Sequence, residues 1–279
     1  MSGCSINDIQ PESIHRNFSQ TILKTFPDMQ ERLLTISRAT IGYRKGRTTV
    51  PVVSDIEAAL HRGEVVALLG RNGAGKSTLL RTLISGLSPL AGEITTGGCR
   101  IDRLSQQELA RLVSVVLTDN SVPGLKVHEL VAIGRTPHTN FMGRLTEKDK
   151  RVVESAMETM RITHLANRDV ASLSDGERQK CFIAKALAQE APILLLDEPT
   201  AFLDYPSKVQ LFATLKELAA KENKTVLVST HDLDIALKSV GKVWFIDEGR
   251  LYQGTPKELI NSGVMKRFME ESSLTGNTE

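Results

Sequence analysis

Eight residues, Gly70-Arg71-Asn72-Gly73-Ala74-Gly75-Lys76-Ser77, constrain this chain more tightly than its size or composition. They follow the apolar run VVALL (65–69). After them Leu79, Leu80, Leu83 and Ile84 are spaced for one face of a helix, with Gly86 as its stop and Pro89 just beyond. A GxxxxGK[ST] loop in this setting demands a buried strand, a tight turn and a helix in succession. Its glycines permit positive φ and close backbone approach, so successive N–H groups can curl around phosphate oxygens. The helix that follows aims its positive end at the same anion. Lys76 is long enough to reach β- and γ-phosphates, and the Ser77 hydroxyl suits Mg²⁺.

The rest of the chain is organised to match. Past residue 190, segments 193–196, 225–229 and 243–246 read as strands, and 207–220 and 233–239 as helices. That alternation predicts a mostly parallel sheet with helices on its faces. LLTISRATIGY (33–43) alternates like a strand. The middle, about 104–190, reads as helical. Ser105-x-x-Glu108 fits a capping box and Thr146-x-x-Asp149 approximates one. Val152, Val153, Ala156, Met157 and Met160 then recur at helical spacing, and the methionines belong to a core rather than to a ligand set. An irregular piece with Pro123 and Gly124 (118–126) lies between. Residues 1–32 are polar and without period, and are expected to be a poorly ordered extension.

Composition removes several function classes. Formal net charge is +2, from 35 Lys+Arg against 33 Asp+Glu, and aromatics are 4%. There is no basic excess and little stacking surface, so nucleic acid is not an expected partner. Cys4, Cys99 and Cys181 form no CxxC pair and read as free thiols in a reducing compartment. No apolar run approaches the roughly 20 residues of a spanning helix, and MSGCSINDIQPESIHRNF lacks an apolar signal core. The expectation is a cytoplasmic protein whose membrane role, if any, runs through a partner.

Two further motifs carry chemistry. Ile193-Leu194-Leu195-Leu196-Asp197-Glu198 places two carboxylates at the carboxyl end of a buried strand, the edge where open α/β sheets bind ligands. Asp197 is the candidate Mg²⁺ holder, through water, and Glu198 the candidate general base toward the attacking water. Leu173-Ser174-Asp175-Gly176-Glu177-Arg178-Gln179 reads as a helix start, with Ser174 and Glu177 as its capping box.

With these motifs in this order, the chain resembles the nucleotide-binding subunit of ATP-binding cassette transporters, whose signature LSGGQ stands here as LSDGE. The resemblance covers residues 33–259. It implies a P-loop NTPase of α/β class: a RecA-like core, an N-terminal antiparallel β piece and an inserted α-helical subdomain at about 104–190, with 260–279 as a C-terminal tail. It implies ATP and Mg²⁺ as cofactors, with ATP held by Tyr43 and by Gly70, Arg71, Asn72, Gly73, Ala74, Gly75, Lys76, Ser77 and Thr78. Tyr43 matches the aromatic that stacks on adenine. Ser77 and Asp197 match the metal positions, and Glu198 and His231 the catalytic ones, His231 touching the γ-phosphate. Ser174, Asp175, Gly176 and Glu177 occupy the signature that faces ATP on a second subunit, and Asp204 the loop that crosses the dimer interface. The implied assembly is a head-to-tail homodimer on integral membrane permease subunits, at the cytoplasmic face of the inner membrane, served indirectly by a periplasmic or surface binding protein.

The chain departs from the family pattern at two places. The family's loop glutamine falls at Leu117-Thr118, where there is Thr118 and no nearby Gln. A Thr hydroxyl cannot reach a metal that a Gln amide would touch without a bridging water, so this loop is expected to sense the membrane partner. The signature carries Asp175 where glycine is usual and Glu177 where glutamine is usual, and a carboxylate facing a γ-phosphate is unfavourable unless it points away. Within the family, Glu129-Leu130-Val131-Ala132-Ile133-Gly134-Arg135-Thr136-Pro137-His138 is similar to the ELVAxGRxPH segment of importers for iron–siderophores, haem and vitamin B12. That segment is expected to be read by the permease. The alternatives are a subunit of another importer or exporter, or a cytosolic cassette protein. The latter usually carry two cassettes, long coiled coils or basic tails, and this chain has one phosphate loop.

Overall fold

A computed structural model of the protein describes residues 32–117, 124–139, 143–266 and 268–270. Thr118, Pro123, Cys4, the extension up to residue 31 and the last nine residues lie outside that set. Two long strands, β1 (Arg32–Lys45) and β2 (Thr48–His61), pair antiparallel, and β4 (Ala91–Thr96) and β5 (Cys99–Arg100) extend the sheet to the order β2-β1-β4-β5. The second sheet contains β3 (Val65–Gly70), β6 (Val113–Val116), β7 (Ile193–Asp197), β8 (Thr225–Ser229), β9 (Lys242–Asp247) and β10 (Arg250–Gly254), in the order β10-β9-β3-β8-β7-β6. All its neighbours are parallel except the β9–β10 hairpin.

The period-two alternation of these strands divides the core. Val66, Leu68, Ile193, Leu195, Leu227, Trp244 and Ile246 face the β1–β2 sheet and helix α1 (Lys76–Leu83). Their neighbours Val65, Ala67, Leu69, Leu194, Leu196, Val226, Val228, Val243 and Phe245 face the helical side. The central strands β3, β7 and β8 are buried on both faces, which is why they read as near-continuous apolar runs.

The segment read as helical contains α2 (Gln106–Leu112), α3 (Val127–Ile133), α4 (Glu147–Thr159) and α5 (Asp175–Ala188). It also contains β6, which pairs with β7 as an edge of the main sheet. The sequence shows no turn there: β6 follows Leu112 directly, so VSVV passes for the end of a helix. Helix starts agree with the capping expectations, and Asp149 at Thr146 makes a full capping box, since a shorter carboxylate still reaches the N-cap amide. The exit of α1 differs from expectation. Ser85, at φ 57°, takes the left-handed position, while Gly86 N donates to Arg81 O at 2.9 Å. Helices α6 (Tyr205–Glu222), α7 (Leu233–Ser239) and α8 (Pro256–Asn261) complete the chain. In the stretch read as a tail, Met265 and Phe268 are buried, with the Phe268 ring 5.2 Å from that of Phe245. No helix among the described residues is long and apolar enough to cross a membrane.

Candidate active site

Strands β3, β8 and β7 are parallel neighbours, so the loops leaving their carboxyl ends emerge side by side. The three loops carry residues 70–77, 229–232 and 197–200. The first closes onto α1 through Gly75, whose φ is 114°. A Cβ at Gly75 would lie 2.8 Å from Val52 Cγ1 and 2.9 Å from Val53 Cγ2, so only glycine fits between the loop and β2.

Lys76 is 7% exposed, and its Nζ donates to Gly70 O at 2.8 Å and to Arg71 O at 3.3 Å. The same Nζ stands 3.8 Å from Glu198 Oε1. Glu198 sits at φ 50°, a conformation unusual for a residue with a side chain, and its amide donates to Ser229 Oγ at 2.9 Å. Ser229 Oγ in turn donates to Asp197 Oδ1 at 2.6 Å. His231 Nδ1 lies 2.8 Å from Glu198 Oε2 on a side chain that is 58% exposed. A cation, a carboxylate and an imidazole thus converge where a phosphate-bearing ligand would meet the loop N–H groups. The sequence alone does not single out Ser229. Its available signal is register: it is paired with Asp197 at the last rung of β7–β8.

Tyr43 is 37% exposed, and its hydroxyl is 2.9 Å from Thr78 Oγ1 in the first turn of α1. The oxygen donors Ser77 and Asp197 are the type a hard divalent cation takes when water and phosphate complete its shell. Among the described residues no cluster of three or more His, Cys, Asp or Glu stands ready to hold a metal unaided.

The signature residues form a separate group. Ser174 Oγ accepts from Glu177 N at 3.3 Å while Ser174 N donates to Glu177 Oε2 at 3.0 Å. The Ser174 hydroxyl and amide hold the Glu177 carboxyl below its usual range. Asp175 forms an ion pair with Arg178 on its own helix. Both departures from the family signature are therefore bound locally. A Cβ at Gly176 would meet Leu203 Cδ2 at 3.1 Å, so the signature turn rests on the 201–204 loop. Asp204 caps α6, accepting from Ser207 N at 3.0 Å, and this bonding lowers its carboxyl pKa. Among the described residues, no hydrogen bond or ion pair joins Ser174, Asp175, Gly176 or Glu177 to Lys76, Glu198 or His231.

The Gly134-Arg135-Thr136-Pro137-His138 segment faces inward in part, against the expectation that a partner reads it. Arg135 is 2% exposed: its Nε donates to Asp149 Oδ1 at 2.9 Å, and its Nη1 to Ala188 O at 2.6 Å and Glu190 Oε2 at 2.7 Å. His138 Nε2 lies 2.8 Å from Gln189 O. A Cβ at Gly134 would lie 2.2 Å from Lys185 O, so only glycine fits where the end of α3 meets α5. In and around it Lys126, His128, Glu129, Ile133, Thr136 and His138 are exposed.

The family model for ABC transporters matches residues 53–201. The ferric enterobactin transport ATP-binding protein of Escherichia coli K12 is 37% identical over 231 residues, 82% of this chain and 84% of that protein. The cobalamin import ATP-binding protein of Halobacterium salinarum is 37% identical over 227 residues, 81% of this chain and 56% of that protein. A solved structure of a transporter assigned to the metal-chelate ABC type, in an inward-facing conformation, superposes with a TM-score of 0.73 at 28% identity, over 85% of this chain and 89% of that one. With a complete phosphate loop and paired carboxylates beside it, the chain belongs to the ABC transporter family, as an ATP-binding subunit that hydrolyses ATP.

Proposed function

We propose that two copies of this chain hold two ATP molecules head to tail, and that hydrolysis drives a membrane permease importing an iron–siderophore, haem or cobalamin. Glu198 carries the reading: a carboxylate at the ligand edge of the sheet, 3.8 Å from Lys76 Nζ and 2.8 Å from His231 Nδ1. It is placed to take a proton from the attacking water. Lys76 exchanges its bonds to Gly70 O and Arg71 O for phosphate oxygens. His231 orients the Glu198 carboxylate and meets the γ-phosphate. Ser77 and Asp197 hold Mg²⁺, which when bound neutralises charge on the β- and γ-phosphates. Tyr43 offers its ring to adenine.

Ser174 and Gly176 serve the ATP of the second copy, which agrees with their separation from this chain's own loop. Arg178 offsets the Asp175 charge that would otherwise oppose the phosphate. Asp204 and the exposed Phe202 and Tyr205 lie at the seam. Two relatives of equal identity carry different cargo names, so the reading reaches the cargo class and no further. The chain itself meets the permease, not the cargo, and sits peripherally at the cytoplasmic face of the inner membrane.

The test is Glu198→Gln. The amide is nearly isosteric but cannot take the proton, so turnover falls by about 10²–10⁴-fold while ATP affinity is kept. The variant accumulates as an ATP-bound dimer on gel filtration. Native turnover in this variant removes Glu198 from the role. Co-purification with a polytopic permease supports import, whereas recovery with ribosomes supports the cytosolic alternative.

A further inference from the structure

We infer that Lys208, at the end of the first turn of α6, is a positioning residue for hydrolysis: it clamps Asp232 and thereby fixes His231 against Glu198. The proposal rests on the assignment of Glu198 and His231 above.

Asp232 is the N-cap of α7, yet its carboxylate makes no capping bond to that helix. An N-cap Asp that forgoes this bond gives up helix stability, and here its oxygens are engaged elsewhere. Oδ1 accepts from Lys208 Nζ at 3.0 Å, and Oδ2 accepts from Thr200 Oγ1 at 2.8 Å. Thr200 lies two residues beyond Glu198 and is fully buried, with Thr230 Oγ1 3.2 Å away. The Asp232 amide donates to Thr230 Oγ1 at 3.0 Å. Asp232 is therefore held from both sides, by the segment that bears Glu198 and by α6.

His231 has no such support of its own. Its side chain is 58% exposed, and among the described residues that side chain bonds Glu198, at 2.8 Å. An exposed imidazole keeps one orientation only if its backbone is fixed, and here the fixed neighbour is Asp232. The Lys208 and Asp232 side chains are each 19% exposed, so solvent screens this pair less than a surface ion pair. Lys208 reaches neither Glu198 nor the phosphate loop by any bond among the described residues. Its side chain meets the site through Asp232, which leads to His231 along the backbone and to the Glu198 segment through Thr200, and the His231→Ala background separates the two routes.

The experiment is a double-mutant cycle on the full chain with ATP and Mg²⁺. Native fluorescence of Trp244, the sole tryptophan and fully buried, reports the fold of each variant. The expected result is that Lys208→Met lowers kcat about tenfold with KM for ATP within about twofold. On a His231→Ala background the same change lowers kcat by less than about twofold, because the residue it positions is gone. Lys208→Arg, which keeps a cation within reach of Asp232, restores most of the rate. If Lys208→Met is poorly folded, Asp232→Asn replaces it: it keeps an acceptor for Thr200 and loses the attraction to Lys208. Equal losses on both backgrounds, or an unchanged kcat in folded Lys208→Met, overturn the inference. Near-native turnover in His231→Ala alone overturns the underlying site assignment instead.

Discussion

Arg135 and Lys76 are both nearly buried cations beside carboxylates, 2% and 7% exposed. Arg135 spends its donors on fixed protein acceptors: Asp149 from α4, Ala188 O at the end of α5, and Glu190 just beyond it. These partners are 14, 53 and 55 residues away in sequence, so one guanidinium ties three segments together. Lys76 bonds two carbonyls of its own loop, one of them long at 3.3 Å, and faces Glu198 at 3.8 Å, beyond hydrogen-bond reach. The first cation is saturated by the fold. The second is held by partners that a phosphate can replace. Residue type and burial alone do not separate a structural charge from a functional one. The quality of its existing bonds does.

The sharpest way to break this comparison is to remove each cation in turn. Arg135→Met leaves Asp149 buried without its charge partner, which costs about 3–5 kcal/mol of stability. Urea unfolding followed by Trp244 fluorescence measures it. ATP affinity of the folded fraction changes by less than about twofold, because Arg135, Asp149, Ala188 and Glu190 bond one another and not Lys76 among the described residues. Lys76→Ala has the reverse profile. Losing a charge-assisted bond worth roughly 1.5–3 kcal/mol weakens ATP binding at least tenfold by calorimetry, with little change in the urea midpoint. An Arg135 variant that kept its stability but lost ATP would dissolve the distinction.

The two regions also differed in how far the sequence revealed them. The phosphate loop is local: strand, glycines, lysine and helix lie within twenty residues, and the boundaries of β8 (225–229) and α7 (233–239) follow from their apolar patterns. The Arg135 hub is not local. GRxPH stands out as a motif, but nothing in it says that the arginine turns inward to Asp149, and it reads equally well as a surface for a partner. Strand β6 was hidden by its direct continuation from α2. The Asp232 clamp was hidden for a third reason: Lys208, Thr200 and Asp232 are ordinary residues whose roles arise only when α6 and the β8 loop meet.

Titration sharpens the same contrast. Burial opposes ionisation of Asp149, but the Thr146 hydroxyl and amide and the Arg135 guanidinium outweigh it, bringing the carboxyl from 3.8 down to about 2. A depressed folded pKa means the stabilisation is complete above the unfolded value and is lost as pH falls from about 4 towards 2. The urea midpoint of the native chain therefore exceeds that of Asp149→Asn at pH 6 by more than it does at pH 3. An equal margin at both pH values excludes Asp149 as the ionised partner.

The smallest expected effect lies at Tyr43, where the nucleotide site contains one bond that is already satisfied. Its hydroxyl meets Thr78 Oγ1 at 2.9 Å, while its ring remains 37% exposed beside the loop. The ring face and the hydroxyl can be tested apart. Tyr43→Phe deletes a neutral hydrogen bond at a part-buried edge, where water replaces the lost partner, so its net cost stays within about 0.5–1.5 kcal/mol. Part of that falls on folding, because the bond exists without nucleotide, and ATP affinity drops by no more than about threefold. Tyr43→Leu keeps apolar bulk but removes the π-face, and base–aromatic stacking is worth about 1–3 kcal/mol, so its ATP affinity falls about fivefold or more. A GTP control adds discrimination, since stacking on either purine is lost alike. If Phe and Leu weaken ATP equally, the hydroxyl bond and not the ring is what the nucleotide feels. Tyr43 then belongs with Arg135, as a residue whose fixed partner within the chain is its whole role.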